Sequence, residues 1–267
     1  MKKIYLTVFC IFLIILETNT SSAAENKIAI YYYDRAPYRI RVSNHNASGI
    51  LVDITKLAFQ KARINFIFRD RPFKRAMIEL KNPNTIGCIP GIYKTPEREE
   101  VYLYTNKAIL QEKPMAIVIN KKDTNSLPIN PTIKELFTSK LIMGVYSGFS
   151  YGKWLDNKID EYKPTTSVVT FSKKQGTTTS ANIIEMISIN RINYTLMAPI
   201  EARWLLKTIN DLKDKVDLLA IKNTPDANSR YLVCSKAIGN DNLERINKAI
   251  SEIIDSDEYT KIINKYR

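Results

Sequence analysis

Strand-like and helix-like apolar patterns alternate along this chain, and this alternation constrains the fold more than any other feature. Compact β-prone runs at residues 28–33, 66–68 and 85–90 are separated by two segments whose apolar residues recur at helical spacing, 52–62 and 73–80. Strands that alternate with helices over short connections form parallel sheets with right-handed crossovers. The pattern therefore predicts an α/β protein with a parallel sheet in its first part.

A second unit of the same kind begins with a strand-like run at residues 115–119. Later strands are predicted at 142–146, 168–171, 194–198, 216–220 and 231–235, and helices at 132–137, 151–162, 180–189 and 200–210. The final helix has the clearest pattern, with apolar residues at 246, 249, 250, 253 and 254. A chain of 267 residues can form one large domain or two lobes, and either can bury a substantial core.

The N-terminus has the order of a secretory signal. Two lysines precede an apolar run at residues 4–16, and the small residues 21–24 follow it. The run is short for a transmembrane helix, and Cys10 lies inside it rather than after it, which argues against a lipid anchor. We therefore expect residues 1–24 to be cleaved and the mature protein to be exported to the periplasm, beginning near Glu25.

Composition argues against several classes of function. The net charge is +13, from 40 basic against 27 acidic residues, but the sequence contains no run of five basic residues and no nucleic-acid-binding signature. We therefore expect a basic solvated surface that attracts anions, and no nucleic-acid partner. The single histidine, His45, lies in a polar turn, so histidine-based catalysis is not expected. The sequence predicts neither a cofactor nor a metal site.

Residues 91–98, Gly-Ile-Tyr-Lys-Thr-Pro-Glu-Arg, are the best candidate for a binding element. They follow a predicted buried strand, and Thr95 can cap a helical turn that begins at Pro96. The free N–H groups of such a turn, together with the guanidinium of Arg98, suit a carboxylate or another small anion. The alternative is that Arg98 is a solvated surface charge.

Removal of the signal leaves two cysteines, Cys88 and Cys234, in an exported protein. Two cysteines in an oxidising compartment are candidates for a disulfide. The alternative is a pair of buried free thiols, because cysteine is often buried as a small apolar residue.

Six short motifs occur in a characteristic order along the chain. They are Tyr-Asp-Arg-Ala-Pro-Tyr at 33–38, Gly-Ile-Leu-Val-Asp-Ile at 49–54, Thr-Pro-Glu-Arg at 95–98, Gly-Val-Tyr-Ser-Gly at 144–148, Asn-Arg-Ile-Asn-Tyr at 190–194 and a closing helix pair at 247–266. In this order they resemble the family 3 periplasmic solute-binding proteins, the polar-amino-acid type of ABC-transporter receptor. The resemblance covers nearly all of residues 27–266.

The resemblance implies the two-lobed type II periplasmic binding protein fold, in which each lobe is a mixed sheet flanked by helices and the ligand binds in the cleft between them. Lobe 1 would comprise residues 25–112 and 223–267, lobe 2 residues 113–222, and crossing segments at 107–119 and 221–235 would join them. The resemblance further implies closure by a hinge motion, a monomer, and delivery of the ligand to a membrane permease. It also makes the strands of Cys88 and Cys234 neighbours within lobe 1, which favours their disulfide.

Carried over residue by residue, the resemblance assigns ligand contacts to both lobes. Arg98 takes the place of the family's carboxylate-binding arginine. Phe73 takes the place of the aromatic residue that packs against the ligand side chain, although its helical spacing also suits plain core packing. Backbone or hydroxyl contacts are expected from Pro90, Gly91 and Tyr93 in lobe 1 and from Ser150 in lobe 2.

Two departures from the family pattern bear on the ligand. Arg35 stands where the family commonly has an aromatic residue, and it would add a second positive charge if it faces the cleft. Ala198 and Pro199 stand where the family has an aspartate that binds the α-ammonium group. Glu201 either substitutes for that aspartate or lies on a helix surface. Because an unpaired buried ammonium group is costly, an ordinary α-amino acid is not expected, and a doubly anionic ligand is favoured.

These features together predict a non-enzymatic binding protein for a small polar, anionic solute. Two alternatives stay open. An exported enzyme on the same scaffold, of the dehydratase or lyase type, would need Glu201, Asp34 or Glu97 as its general acid or base. The sequence contains no paired carboxylates or nucleophile–base spacing that supports it. The second alternative is a sensor module that keeps the fold and signals to a partner protein.

Overall fold

A computed structural model describes the chain over residues 27–43, 46–146, 148–169, 179–225 and 229–266. The expected signal peptide, His45, Ser147 and the end of the strand predicted at 168–171 lie outside these residues. Within the described part, no helix has both the length and the apolar character that crossing a membrane requires.

The strands and helices alternate as the sequence pattern predicts. The strands are β1 Ile28–Tyr32, β2 Ile40–Ser43, β3 Asn46–Ser48, β4 Phe66–Asp70, β5 Gly87–Ile92, β6 Leu103–Tyr104, β7 Leu110–Gln111, β8 Ala116–Asn120, β9 Met143–Tyr146, β10 Thr166–Val169, β11 Tyr194–Met197, β12 Val216–Leu219 and β13 Ser229–Cys234. The α-helices are α1 Ile50–Lys61, α2 Phe73–Glu79, α3 Pro96–Glu99, α4 Ile133–Phe137, α5 Lys153–Tyr162, α6 Thr179–Ser188, α7 Pro199–Thr208, α8 Asn240–Ile253 and α9 Asp257–Lys265.

The first sheet contains strands from both ends of the described chain. Its order is β4-β1-β5-β13-β6, and β7 also pairs with β13. β1 is parallel to β4 and β5, as the β-α-β-α-β pattern predicts, whereas β13 lies antiparallel beside β5. Cys234 on β13 lies directly opposite Cys88 on β5, and the two residues form a disulfide. We call this sheet and the helices packed on it the first lobe.

The second sheet is built from the middle of the chain, and we call it and its helices the second lobe. Its order is β10-β9-β11-β8-β12, with β9 parallel to β10 and β11, and β8 antiparallel to β11 and β12. The chain passes between the sheets twice, once between β7 and β8 and once between β12 and β13. The lobe boundaries placed after residues 112 and 222 stay predictions.

One element of the first lobe was not predicted. β2 and β3 form a short antiparallel hairpin in a region where the sequence suggests only a polar loop. Most of β2 is exposed, including Val42, so this strand lacks the alternation of buried and exposed residues by which a half-buried strand is recognised.

Each lobe has its own hydrophobic core, and the two cores meet at the start of α7, where the buried Ala198 packs in the first-lobe cluster. In the first lobe, α1 and α8 pack on the sheet, and the predicted apolar positions Ile246, Ala249, Ile250 and Ile253 of α8 are buried. In the second lobe, α6 is among the helices that pack on the sheet. Each large apolar side chain buried in this way contributes about 1.5–3 kcal/mol, so the lobes hold the cleft between them on rigid supports.

Candidate functional site

A small cavity lies between the two lobes, where strands of both sheets end. Its walls come from the loop after β1, the end of β5, the loop after β9, and β11. The cavity volume is about 40 Å³. A polar, concave site at the ends of strands from two lobes is the usual place for a small-molecule ligand in an α/β protein.

Most of the residues predicted for the site line this cavity. They are Arg35, Phe73, Gly91, Tyr93, Arg98 and Ser150. Glu201 is not in the wall but contacts Arg35 from behind it. The cavity also has walls that the sequence did not indicate, namely Tyr33, Tyr146, Phe149, Tyr151, Thr195 and Arg230.

Arg98 reaches across the mouth of the cavity. Thr95 caps the short helix α3 by accepting a hydrogen bond from the backbone N–H of Arg98, as predicted. The guanidinium donates to the carbonyl of Tyr93 at 3.0 Å and, more weakly, to the carbonyl of Gly148 in the second lobe at 3.3 Å. Among the described residues, no carboxylate forms an ion pair with Arg98. Its positive charge is therefore not compensated by an ion pair within the described residues, and its guanidinium lies 5.9 Å from the ring of Phe73.

Arg35 and Glu201 form an ion pair that joins the lobes. The Arg35 Nε and Nη2 atoms donate to the two Glu201 carboxylate oxygens at 2.6 and 2.7 Å, and the Ser180 hydroxyl donates to the same carboxylate. The Glu201 side chain is 0% exposed and that of Arg35 is 12% exposed. Burial alone would raise the pKa of Glu201, but Arg35 and Ser180 favour the charged form and bring that pKa below its usual value.

This pairing differs from what the sequence suggested for both residues. Arg35 does face the cleft, but its charge is compensated by Glu201, so it does not provide the free second charge on which the expectation of a doubly anionic ligand depended. Glu201 is fully buried rather than on a helix surface, and its carboxylate is already occupied.

Aromatic rings from the two lobes meet at one end of the cavity. Phe149, in the loop after β9, lies with its ring centroid 5.1 Å from that of Phe73 and 6.2 Å from that of Tyr33. The Phe73–Phe149 pair is edge-to-face, and such a pair stabilises by about 0.5–1.5 kcal/mol beyond the burial of its area. Phe73 packs in the first-lobe core and also lines the cavity, so its contact with a ligand stays a prediction.

Ser150 lies in the wall, but its hydroxyl has partners of its own. It donates to the Asp156 carboxylate of α5 and accepts from the backbone N–H of Gly152 at 3.1 Å. The second Asp156 oxygen accepts from the N–H of Tyr151 at 2.7 Å. Ser150 therefore helps to fix the start of α5, and a ligand contact from its hydroxyl stays a prediction.

A second buried charge network lies where the chain first passes between the lobes. Glu112 accepts from Arg230 Nε at 2.5 Å and from the Tyr93 hydroxyl at 2.7 Å, and the Tyr38 hydroxyl also donates to it. Arg230 in turn donates to the carbonyl of Gly91 at 3.0 Å. Gly91 has a φ of +83°, and a side chain there would overlap Leu51, so this position requires glycine.

Two further polar side chains, Tyr151 in the cavity wall and Arg39 over the ring of Tyr33, are buried without a complete set of partners among the described residues. The Tyr151 hydroxyl has no partner, and burial raises its pKa to about 12. Arg39 is fully buried and donates to the carbonyl of Pro90, but its Nε and Nη2 atoms have no acceptor. Burial lowers the pKa of Arg39 to about 10, so the side chain stays charged at neutral pH. Unpaired buried donors of this kind favour an anion or a water molecule as partner.

The three carboxylates proposed as acid or base residues for an enzyme do not meet in the cavity. Glu201 is paired with Arg35, the Asp34 carboxylate accepts from the backbone N–H of Arg41, and Glu97 is exposed on α3. In the part of the chain that the structure describes, no group of three or more potential ligands could hold a metal ion.

The two sheets and the cleft between them define a two-lobed ligand-binding protein of the type II periplasmic class. The chain belongs to the bacterial extracellular solute-binding proteins, family 3, whose family model matches residues 28–267. A comparison with curated protein sequences found no match.

Solved structures with the same fold include transport receptors and a sensor. An ancestral arginine-binding protein bound to glutamine matches at 18% identity over 90% of this chain and 97% of that chain, with a TM-score of 0.68. An amino acid ABC transporter substrate-binding protein from Streptococcus pneumoniae, bound to L-arginine, matches at 15% identity over 91% and 95%, with a TM-score of 0.68. A histidine kinase sensor domain with similarity to periplasmic binding proteins matches at 15% identity over 91% and 96%, with a TM-score of 0.70. At these identities the similarity establishes the fold.

Proposed function

We propose that this chain is an exported receptor that binds a small carboxylate-bearing solute between its lobes and delivers it to an ABC-type permease. In this proposal residues 25–112 with 223–267 form one lobe and residues 113–222 the other. Residues 1–24 are a cleaved signal that directs the chain to the periplasm. Arg98 is the principal partner of the ligand carboxylate.

The observation that carries the proposal is the state of Arg98. Its guanidinium lies in the cavity wall, and its described hydrogen-bond partners are two backbone carbonyls, one of them at 3.3 Å. A carboxylate in the cavity would accept two parallel charge-assisted hydrogen bonds from the same fork, which are about twice as strong as bonds between neutral groups. The unpartnered Tyr151 hydroxyl in the same wall offers a further donor.

The size of the cavity adds a requirement for motion. A volume of about 40 Å³ has space for a few water molecules, since each needs roughly 10–15 Å³ on the same measure. A solute of amino-acid size is larger than this. The proposal therefore includes an opening of the cleft about the two passages between the lobes, followed by closure on the ligand.

The ligand is best sought on freshly purified protein. Native mass spectrometry should identify a co-purified carboxylate. This compound is then titrated by calorimetry together with a panel of monocarboxylates, dicarboxylates, amino acids and neutral sugars. We call the compound that binds the active compound. Arg98→Ala should weaken binding of the active compound by about 2–4 kcal/mol, because the anion loses its charged partner while it stays desolvated. The matched control is Arg75→Ala, which removes an exposed arginine of α2 and should leave affinity unchanged. Equal affinity in wild type and Arg98→Ala would refute the assignment.

A sensor module is the second candidate function, and one observation favours it. The lobes contact each other directly through Arg35 and Glu201 and through the ring of Phe149, so side-chain contacts of the protein itself help to hold the cleft closed. Small-angle X-ray scattering with and without the active compound distinguishes the two. A radius of gyration that falls on binding supports the transport receptor, and an unchanged radius supports a sensor in which the ligand acts on a closed cleft.

A further inference from the structure

The second lobe contains a pocket built for a planar cation. Its floor is the Glu201 carboxylate in the first turn of α7, and the Ser180 hydroxyl of α6 donates to that carboxylate. Both residues are fully buried. The ring of Phe149 lies at its edge, 5.1 Å from the cation that now fills it. A carboxylate that accepts two parallel bonds beside an aromatic face is the arrangement that selects guanidinium groups. We call Glu201 and Ser180 the acidic pocket.

The cation that fills the acidic pocket belongs to the other lobe. Arg35 lies in the loop after β1. Its backbone N–H donates to the carbonyl of Arg39 at 2.7 Å, and the backbone N–H of Arg39 donates to the carbonyl of Arg35 at 2.9 Å. These two bonds hold the loop in a tight turn, from which the Arg35 side chain reaches the second lobe. Its guanidinium also lies 5.6 Å from the ring of Tyr38. Arg35 therefore arrives from a fixed turn and occupies the pocket as an external ligand would.

We propose that Arg35 is a specificity-determining residue, which fills the acidic pocket of the second lobe and so excludes ligands that carry a cationic group. The inference rests on the proposed function in one respect, because the proposed function places the ligand in this cleft. With Arg35 in place, the cavity offers a ligand no free carboxylate from Glu201, and it leaves Arg98 as the charged contact. Without Arg35, the same cleft would present a buried, uncompensated carboxylate to any small cation that fits.

The proposal follows from the way buried charges behave. A carboxylate that is 0% exposed has lost its water, and removal of Arg35, its ionic partner among the described residues, leaves a strongly unfavourable state. A guanidinium compound small enough to enter can restore both hydrogen bonds and the charge balance. The volume released by truncation of Arg35 to alanine adds to the cavity that Arg35 now lines, so the space appears beside the carboxylate.

The test is rescue of Arg35→Ala by methylguanidinium, measured by thermal unfolding and by calorimetry at neutral pH. We expect Arg35→Ala to be less stable than wild type, and methylguanidinium to raise its unfolding temperature at concentrations that leave wild type unchanged. By calorimetry the variant should bind methylguanidinium at least roughly tenfold more tightly than wild type, the difference expected when a charged pair is restored. The double variant Arg35→Ala/Glu201→Gln should lose this gain, because its pocket no longer carries a charge.

A surface pair provides the matched control. Arg71 forms an ion pair with Glu79 at 3.0 Å, but both side chains are partly exposed. Arg71→Ala should therefore gain no affinity for methylguanidinium, since water replaces the lost partner. If Arg35→Ala does not fold, Arg35→Gln provides a second variant with a shorter, neutral side chain, and rescue is measured during its refolding.

Three results would overturn the proposal. They are no rescue of either Arg35 variant, equal rescue of the double variant, and methylguanidinium binding to wild type with the affinity of Arg35→Ala. None of these results depends on an anionic ligand or on Arg98. Failure of the proposed carboxylate receptor therefore appears in the Arg98→Ala titrations, and failure of this inference appears in the methylguanidinium measurements.

Discussion

Reduction of the Cys88–Cys234 disulfide should lower the free energy of unfolding by about 3–5 kcal/mol. The bond joins residues that are 146 positions apart, so it closes a long loop in the unfolded chain. For a loop of this length, the chain-entropy relation gives a stabilisation of about 5 kcal/mol at 25 °C, and distortion of the native geometry subtracts from it. Both cysteines are fully buried, so we expect reduction to proceed only through unfolding.

Urea denaturation, monitored by circular dichroism, measures this effect on the same protein with and without reductant. Because no residue is substituted, the comparison involves no change in side-chain volume. The reduced protein should unfold at a lower urea concentration, and with a larger m-value because its unfolded state is less compact. The control is Cys88→Ala/Cys234→Ala, which should not respond to reductant. An unchanged midpoint after verified reduction, or two reactive thiols in the unfolded protein without reductant, would refute the reasoning.

Three further predictions concern the cleft. Glu112→Gln leaves the buried Arg230 without its partner and should cost roughly 3–5 kcal/mol of stability in urea denaturation, whereas an effect below about 1 kcal/mol would mean that water reaches the site. Tyr151→Phe removes a hydroxyl without a partner and should change stability little, but it should weaken binding of the active compound in calorimetry if that hydroxyl contacts the ligand. The folded pKa of Glu201 is lowered, so its contribution is present above the unfolded pKa of about 4.3 and is lost as the pH falls through the folded value. The stability difference between wild type and Glu201→Gln should therefore shrink below about pH 4, and a difference independent of pH would contradict this.

The sequence predicted most of the fold, because the fold depends on patterns that are local. Apolar spacing identified α1 and α8 and the parallel strands of the first sheet, since burial of one helix face leaves a regular trace in the sequence. Boundaries were less accurate. The strand predicted at 85–90 extends from Gly87 to Ile92 and contains Pro90, which usually argues against a central strand. The β2–β3 hairpin was missed because its first strand is mostly exposed.

The candidate site was predicted less well, because it depends on pairs of charges that are far apart in the sequence. Arg35 and Glu201 are separated by 166 positions, and Arg230 and Glu112 by 118. Nothing in the local pattern indicates which arginine meets which carboxylate, and buried arginines look like surface charges. Arg39 is the clearest case, since it is fully buried and no pattern in the sequence marked it as such.

Which arginine forms an ion pair with which carboxylate decides the electrostatics of the cleft. Of the four arginines around it, Arg35 and Arg230 are compensated by buried carboxylates, whereas Arg39 and Arg98 form no ion pair among the described residues. A third carboxylate, Asp156, bonds to Ser150 and to backbone rather than to an arginine. A neutral ligand would leave the charge of Arg98 facing a site from which water has been displaced, which is unfavourable at low dielectric. An anion would remove that cost and gain a bidentate contact, so we expect Arg98, which lines the cavity, to select the charge of the ligand.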